Sequence, residues 1–247
     1  MNTASASPSN SAPSAASSTA GRRVIDAPTR ALHWLLALSF SGAYLSAESE
    51  RWHLLHITLG YTVLGLVLTR LVWGLLGPKR VSLGSWGSKL RGLPQQVLAW
   101  PQGRGNPLAS FQGLNTLAVV ALLLATLTAA LSGLGLEQQW GGARVEDLLE
   151  ELHEWLGNMS LAVVLAHLGL ILGISLLRRQ NHALPMLNGR MPGKGPDLVK
   201  RNMNPLAWLL IAVVLGFWYW QWQQPPASPN DRPSIGARHH SADDEDD

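Results

Sequence analysis

Two long stretches of this chain carry no formal charge: none falls between Arg104 and Glu137, and none between Glu154 and Arg178. A bilayer-crossing helix needs about 20 apolar residues, with a range near 17–25. Hydrocarbon offers no partner to a backbone polar group that is not already paired within a helix or a closed barrel. These stretches therefore set the class, and three further apolar runs extend it. The sequence predicts five spans, at about 31–47, 54–76, 108–136, 155–177 and 205–222. The third is rich in Gly, Ala, Ser and Thr, which lets helices approach closely in lipid. Charged residues make up 14% of the chain, against roughly 25% in soluble domains. Trp34, Trp73, Trp155, Trp208 and Trp222 fall near span ends, where interface anchors belong.

Two polar tails flank this interior. Residues 1–22 are dominated by Ser and Ala, and residues 223–247 are Pro-rich and end in Asp-Asp-Glu-Asp-Asp. Neither composition buries enough apolar surface to order a chain, so both are expected to be disordered. Between them the expected units are a transmembrane domain at 23–180, a basic loop at 181–204 and an extra transmembrane helix at 205–222. The first apolar run follows about 30 residues and lacks an Ala-x-Ala exit, as a retained signal anchor would. The N-terminal segment and the 77–107 and 178–204 loops hold fourteen of the nineteen Lys and Arg, and the other side holds fourteen of the sixteen Asp and Glu. The positive-inside rule then puts the N-terminus in the cytoplasm. For a protein of a bacterial inner membrane, an odd span count puts the C-terminus in the periplasm. The basic residues lie between apolar runs rather than on one soluble face, which argues against a nucleic-acid partner.

Cysteine is absent. That excludes disulfides, thiolate nucleophiles, iron–sulfur clusters and the Cys-x-x-Cys-His attachment of c-type haem. Any metal must be held by His, Met or carboxylates. Of eight His, five lie in or beside spans: His33, His53, His56, His153 and His167. An intramembrane ionisable residue is a functional candidate by default, although a lone one can equally be a neutral imidazole bonded to the next helix. Spacing separates the two cases. His153 and His167 are fourteen residues apart, about 40° short of four full turns and about 21 Å along a helix. They leave one face near opposite sides of the membrane, too far apart to share one ion. His56 lies level with His153, and His33 with His167. Two His–His pairs result, and two axial imidazoles are what a b-type haem iron needs for electron transfer with no open site. Gly60, Gly65, Gly157 and Gly169 lie near these His and serve either to admit flat macrocycles or to pack helices.

The segment Val24-Ile-Asp-Ala-Pro-Thr-Arg-Ala-Leu-His33-Trp34 resembles the opening of the bacterial di-haem cytochrome b family, which includes cytochrome b561 and the b-type subunit of nickel hydrogenases. Leu55-His56-Ile-Thr-Leu-Gly60-Tyr61 with Arg70-Leu-Val-Trp73-Gly74 resembles its second helix, and Leu152-His153-Glu-Trp with His167 resembles its fourth. The resemblance covers about residues 23–180 and implies an all-α, integral membrane four-helix haem-binding bundle, to which 205–222 adds a fifth helix. It implies two non-covalent b haems with axial ligand pairs His33/His167 and His56/His153. His53, three residues before His56, is the competitor, and the register of Gly60 and Arg70 favours His56. Arg70 and Arg30 are candidate partners for haem propionates, since a guanidinium can bond a carboxylate through two donors. Both can instead reach the headgroups.

The expected function is transmembrane electron transfer between the quinone pool and a redox partner such as a c-type cytochrome. The alternative is the haem-bearing membrane anchor of a larger oxidoreductase such as a hydrogenase. A proton-relay transporter is disfavoured by the paired His, the lack of an internal repeat and the lack of acidic residues inside spans. The acidic run Glu146, Asp147, Glu150, Glu151 and Glu154 is either a solvated surface or a docking patch for a basic electron carrier.

Overall fold

Asp26 starts the first long helix. Its carboxylate accepts a hydrogen bond from Thr29 N–H at 2.9 Å, and Pro28 stands in the first turn, the residue type that begins a helix without loss of a bond. The computed structural model describes residues 21–76, 84–99, 102–193, 195–199 and 201–224. Residues 1–20 and 225–247, where the polar tails fall, lie outside them, as do Lys79 and Arg80. The helices are α1 (Ala27–Ser46), α2 (His53–Leu76), α3 (Gly84–Arg91), α4 (Leu93–Ala99), α5 (Pro107–Glu137), α6 (Ala143–Arg178), α7 (Leu184–Asn188) and α8 (Asn204–Trp222). A short antiparallel pair, β1 (Arg22–Arg23) with β2 (Arg190–Met191), closes one end.

The largest departure from the expected spans is α6. It runs 36 residues from Ala143, about 54 Å, well beyond the roughly 30 Å hydrocarbon core. Residues 143–156 contain no Gly or Pro, and their Glu and Leu are good helix formers. The acidic run is therefore helical surface, not loop. Gly141 and Gly142, at φ +83° and +75°, make the reversal from α5, a conformation that suits glycine.

Among the described residues four elements are long and apolar enough to cross a membrane: Glu50–Leu76, Pro107–Glu137, Ala143–Arg178 and Asn204–Trp222. The first expected span is not in that set. α1 has the length but carries Arg30, His33, Ser39, Ser41 and Ser46. Some of its polar groups are buried: Ser39 is fully so, and Ser46 Oγ donates to carbonyls of its own helix, those of Gly42 and Ala43.

The bundle is α1 along α2, α2 against α5, and α5 along α6. Tyr44 O–H of α1 donates to Asn158 Oδ1 of α6 at 2.9 Å, joining the first helix to the last. The α8 helix packs outside this group, on α1 and α2. There Leu32, Leu66 and Val214 form an apolar cluster with Trp73 and Trp218, and Trp218 Nε1 donates to Thr62 Oγ1 at 2.9 Å. The chain between α6 and α8 folds beneath α1: Val24 N–H donates to Gly189 O and Ala27 N–H to Asn202 O.

The glycines divide into two kinds. A Cβ added at Gly42, Gly113 or Gly173 would meet Leu59 at 2.6 Å, Leu93 at 2.7 Å or Phe111 at 2.8 Å. These are helix-packing glycines. At Gly60, Gly65, Gly157 and Gly169 it would meet nothing within 4 Å. Gly60 and Gly157 line a cavity beside His side chains, and in a close-packed interior a glycine that leaves such space open is not serving helix contact, whereas Gly65 and Gly169 are exposed.

Candidate functional site

His56 of α2 and His153 of α6 come together, with ring centroids 5.9 Å apart and planes at 78°. Each ring is fixed by its own backbone contact. His56 Nδ1 lies 2.8 Å from Ala43 O, and His153 Nδ1 lies 2.8 Å from Ala129 O. A carbonyl oxygen can only accept, so both Nδ1 atoms carry the proton. Both Nε2 atoms are then left with a free lone pair, the state a metal ligand requires. With both Nδ1 atoms committed to carbonyls, these two imidazoles would be the residues to hold a metal at this end of the bundle.

The two carbonyls are available for structural reasons. Ala43 belongs to the last turn of α1, where carbonyls lack intrahelical partners, and Ala47 N–H goes instead to Tyr44 O. Ala129 is in mid-helix, but Gly133 one turn on has no side chain to block it. A Cβ at Gly133 would stand 2.8 Å from His153 Cε1 and 3.1 Å from Nδ1. Ser132 Oγ donates to Ala129 O at 2.9 Å and lies 3.3 Å from His153 Nδ1.

A cavity of about 370 Å³ lies beside this pair, within the 300–1,000 Å³ of ligand sites. Its wall includes Gly60 and Gly157, one turn after each His, with Val63, Thr126 and Ala130. Tyr44, Glu48, Glu150, Glu154 and Asn158 also line it.

The second pair stands one span away. His167 is fourteen residues along α6 from His153, and His33 of α1 lies within its electrostatic reach. His33 rests edge-on to Trp34, with centroids 5.4 Å apart. His167 Nδ1 is buried without a hydrogen-bond partner among the described residues, a cost that a bound group can relieve. Among the described residues no three metal-donor side chains cluster. Paired imidazoles suit an ion whose other ligands come from a macrocycle.

The remaining residues singled out from sequence are also placed. His53 is exposed at the start of α2, so His56 is the His of that helix that reaches His153. The Arg70 guanidinium lies over the Trp86 ring, 5.3 Å from its centroid, and within electrostatic reach of Asp26. Arg30 Nη1 donates to Leu187 O at 3.0 Å, tying α1 to α7. His182, after α6, is held below the ordinary histidine range by burial and by Arg178. Sequence reading passed over Ala43, Ala129, Ser132, Gly133, Tyr44 and Asn158. Only Ala129, Ser132 and Gly133 left a signal, as small residues of α5.

A family model described as prokaryotic cytochrome b561 matches residues 24–189. No curated protein and no solved structure matches the chain.

Proposed function

Because the chain belongs to the prokaryotic cytochrome b561 family, a family of b-type haem membrane electron-transfer proteins, we propose that it carries electrons across a bacterial inner membrane through two bis-histidine b haems. The observation that carries this reading is the His56–His153 pair, with both Nδ1 atoms bound to carbonyls and both Nε2 atoms left to ligate. His33 and His167 are the ligands of the second haem. When bound, each haem would supply a one-electron ferric–ferrous couple. The chain's own residues supply the rest. Gly60 and Gly157 leave room for the macrocycle, the backbone carbonyls orient the imidazoles, and the apolar helices exclude water. Arg70, level with His167 by its fourteen-residue offset from His56, is the favoured propionate partner. Arg30, already bonded to Leu187, is a secondary one. A quinone is the proposed partner at one membrane face.

A reduced-minus-oxidised spectrum with haem quantified per chain tests the reading. Two haems per chain are expected, and acid–acetone should extract both, since no Cys can tether them. A ratio of one removes the two-pair scheme, and a ratio of zero removes the function.

The N-terminus is proposed to be cytoplasmic, which puts the His56–His153 pair toward the periplasm and the His33–His167 pair toward the cytoplasm. A phosphatase fused after residue 247 should then be active. If a fluorescent protein lights there and the phosphatase stays silent, the orientation or the crossing of α8 is wrong.

A basic one-electron carrier such as a c-type cytochrome is the proposed partner at the His56–His153 end. The connection after α5 is only residues 138–142, so the acidic first turns of α6 are the surface on offer. Asp147 and Glu151 are exposed, share a helix face and stand off the cavity wall, whereas Glu150 lines it. Asp147→Lys with Glu151→Lys should slow electron exchange with a basic c-type cytochrome about tenfold at low salt, with haem content unchanged. An unchanged rate would mean that the acidic turns are simply solvated.

A further inference from the structure

The family match ends at residue 189, and α8 starts only at Asn204. Between α8 and α1, with α7 across one end, lies a cleft of about 490 Å³, within the 300–1,000 Å³ of ligand sites. It shares no lining residue with the cavity beside His56 and His153. We propose that this cleft holds one anionic phospholipid, its phosphate at Arg30 and Asn204 and an acyl chain between Leu38 and Ile211.

The cleft is graded from polar to apolar. Its α1 side is Arg30, Trp34, Leu35 and Leu38, and its α8 side includes Asn204, Trp208 and Ile211. The two helices start at the same end, where Ala27 N–H donates to Asn202 O. Arg30 and Asn204 therefore share the mouth, and the leucines and Ile211 lie further in. From Arg30 to Leu38 is eight residues, about 12 Å of helix rise. Trp34 Nε1 donates to Met186 O at 2.8 Å, which leaves its ring as apolar wall. Leu38 and Trp208 are exposed, so along the spanning helices the groove opens sideways, toward lipid tails.

The mouth offers donors. Arg30 Nη1 gives an N–H to Leu187 O at 3.0 Å, a bond that fixes the guanidinium there and leaves Nη2 to a ligand. Asn204 Oδ1 accepts from Asn202 Nδ2, so the amide N–H groups of Asn204 are left to donate. Phosphate oxygens suit a guanidinium fork, and among the described residues no carboxylate lines the cleft.

The surrounding charge has the same sign. Segments 21–30 and 178–204 carry nine Lys and Arg against Asp26 and Asp197. Both carboxylates are engaged with backbone, Asp26 with Thr29 N–H and Asp197 with Arg23 N–H. Basic pockets between transmembrane helices select anionic headgroups. A free phosphate would satisfy the mouth and leave the apolar wall bare. A zwitterionic lipid would bring its own cation up to the arginines. An anionic lipid meets both halves of the cleft, and fills the seam by which α8 is joined to α1.

Native mass spectrometry of the full-length protein in detergent tests this, with phosphatidylglycerol and phosphatidylcholine of identical acyl chains as probes. One phosphatidylglycerol per chain should be retained about tenfold more tightly than phosphatidylcholine, the size of one hydrogen bond to a charged group. Arg30→Gln keeps an amide for Leu187 O and should bring that preference close to one. Ala31→Trp, on the cleft wall, adds bulk without charge and should weaken both lipids. Arg51→Gln is the control: its guanidinium lies over Trp52, just before α2, and its loss should alter neither lipid. The wild-type ratio needs no variant, so it decides even if a substitution unseats α8. Equal retention of the two lipids overturns the inference, as does unchanged retention by Ala31→Trp or an equal loss of preference on Arg51→Gln. Inorganic phosphate bound as tightly as phosphatidylglycerol also overturns it, for the cleft would then take a free anion.

Discussion

Replacing His153 by Ala should remove one of two haems and about half of the haem absorbance, while the other remains low-spin. The expectation rests on the proposed ligand count: with two protein ligands to each iron, the loss of one would leave a haem held by a single bond and apolar contact. His56→Ala should give the same spectrum as His153→Ala, because the two rings stand 5.9 Å apart and are the proposed ligands of one haem. His33→Ala and His167→Ala should form a second matched pair that loses the other haem. His53→Ala should lose neither, since that side chain is exposed at the start of α2. Four single substitutions that fall into two spectral classes establish the pairing. A loss of haem on His53→Ala with none on His56→Ala would shift the register of α2 by one turn. Haem per chain and low-spin electron paramagnetic resonance signals are the measurements.

The second large effect concerns glycines. Gly60→Leu with Gly157→Leu should abolish haem at the His56–His153 site and leave membrane insertion and the other haem intact. A side chain at either position meets no protein atom within 4 Å of its Cβ. In the protein alone, replacing a mid-helix glycine should even gain roughly 0.5–1 kcal/mol of helix propensity per site. What the new side chains fill is the cavity beside the His pair. Gly113→Leu makes the contrasting control, because its Cβ would stand 2.7 Å from Leu93 and should cost stability wherever the haem is. If the Gly60/Gly157 double variant binds two haems, the space those glycines keep belongs to something else.

The placing of His153 and His167 on one helix face was legible in sequence because helical periodicity carries it. Fourteen residues is nearly a whole number of turns, so His153 and His167 share a face whatever packs against them. The N-cap at Asp26 was legible for a similarly local reason, since an acidic residue before Ala-Pro is a helix start. The start of α6 was not. Hydropathy marks where lipid begins, whereas a helix ends where its backbone is broken, and between Ala143 and Trp155 nothing breaks it. The polar character of α1 was underrated for a related reason, because composition does not tell which neighbour a Ser faces. Neither Ala43 nor Ala129 could be found by reading side chains, since each acts through its carbonyl. Such contacts depend on how two helices are set against each other, and no single-helix pattern records that.

The continuity of α6 also bears on how such a chain can change over generations. One unbroken rod carries both His153 and His167, so the interval between them is set by residue number and not by how loosely the other helices sit. Substitutions along it are tolerable wherever bulk and polarity allow. A single inserted or deleted residue between His153 and His167 is different, for it would swing one imidazole about 100° around the axis, away from its partner. Descent can therefore respell this segment freely, but it has to preserve the count.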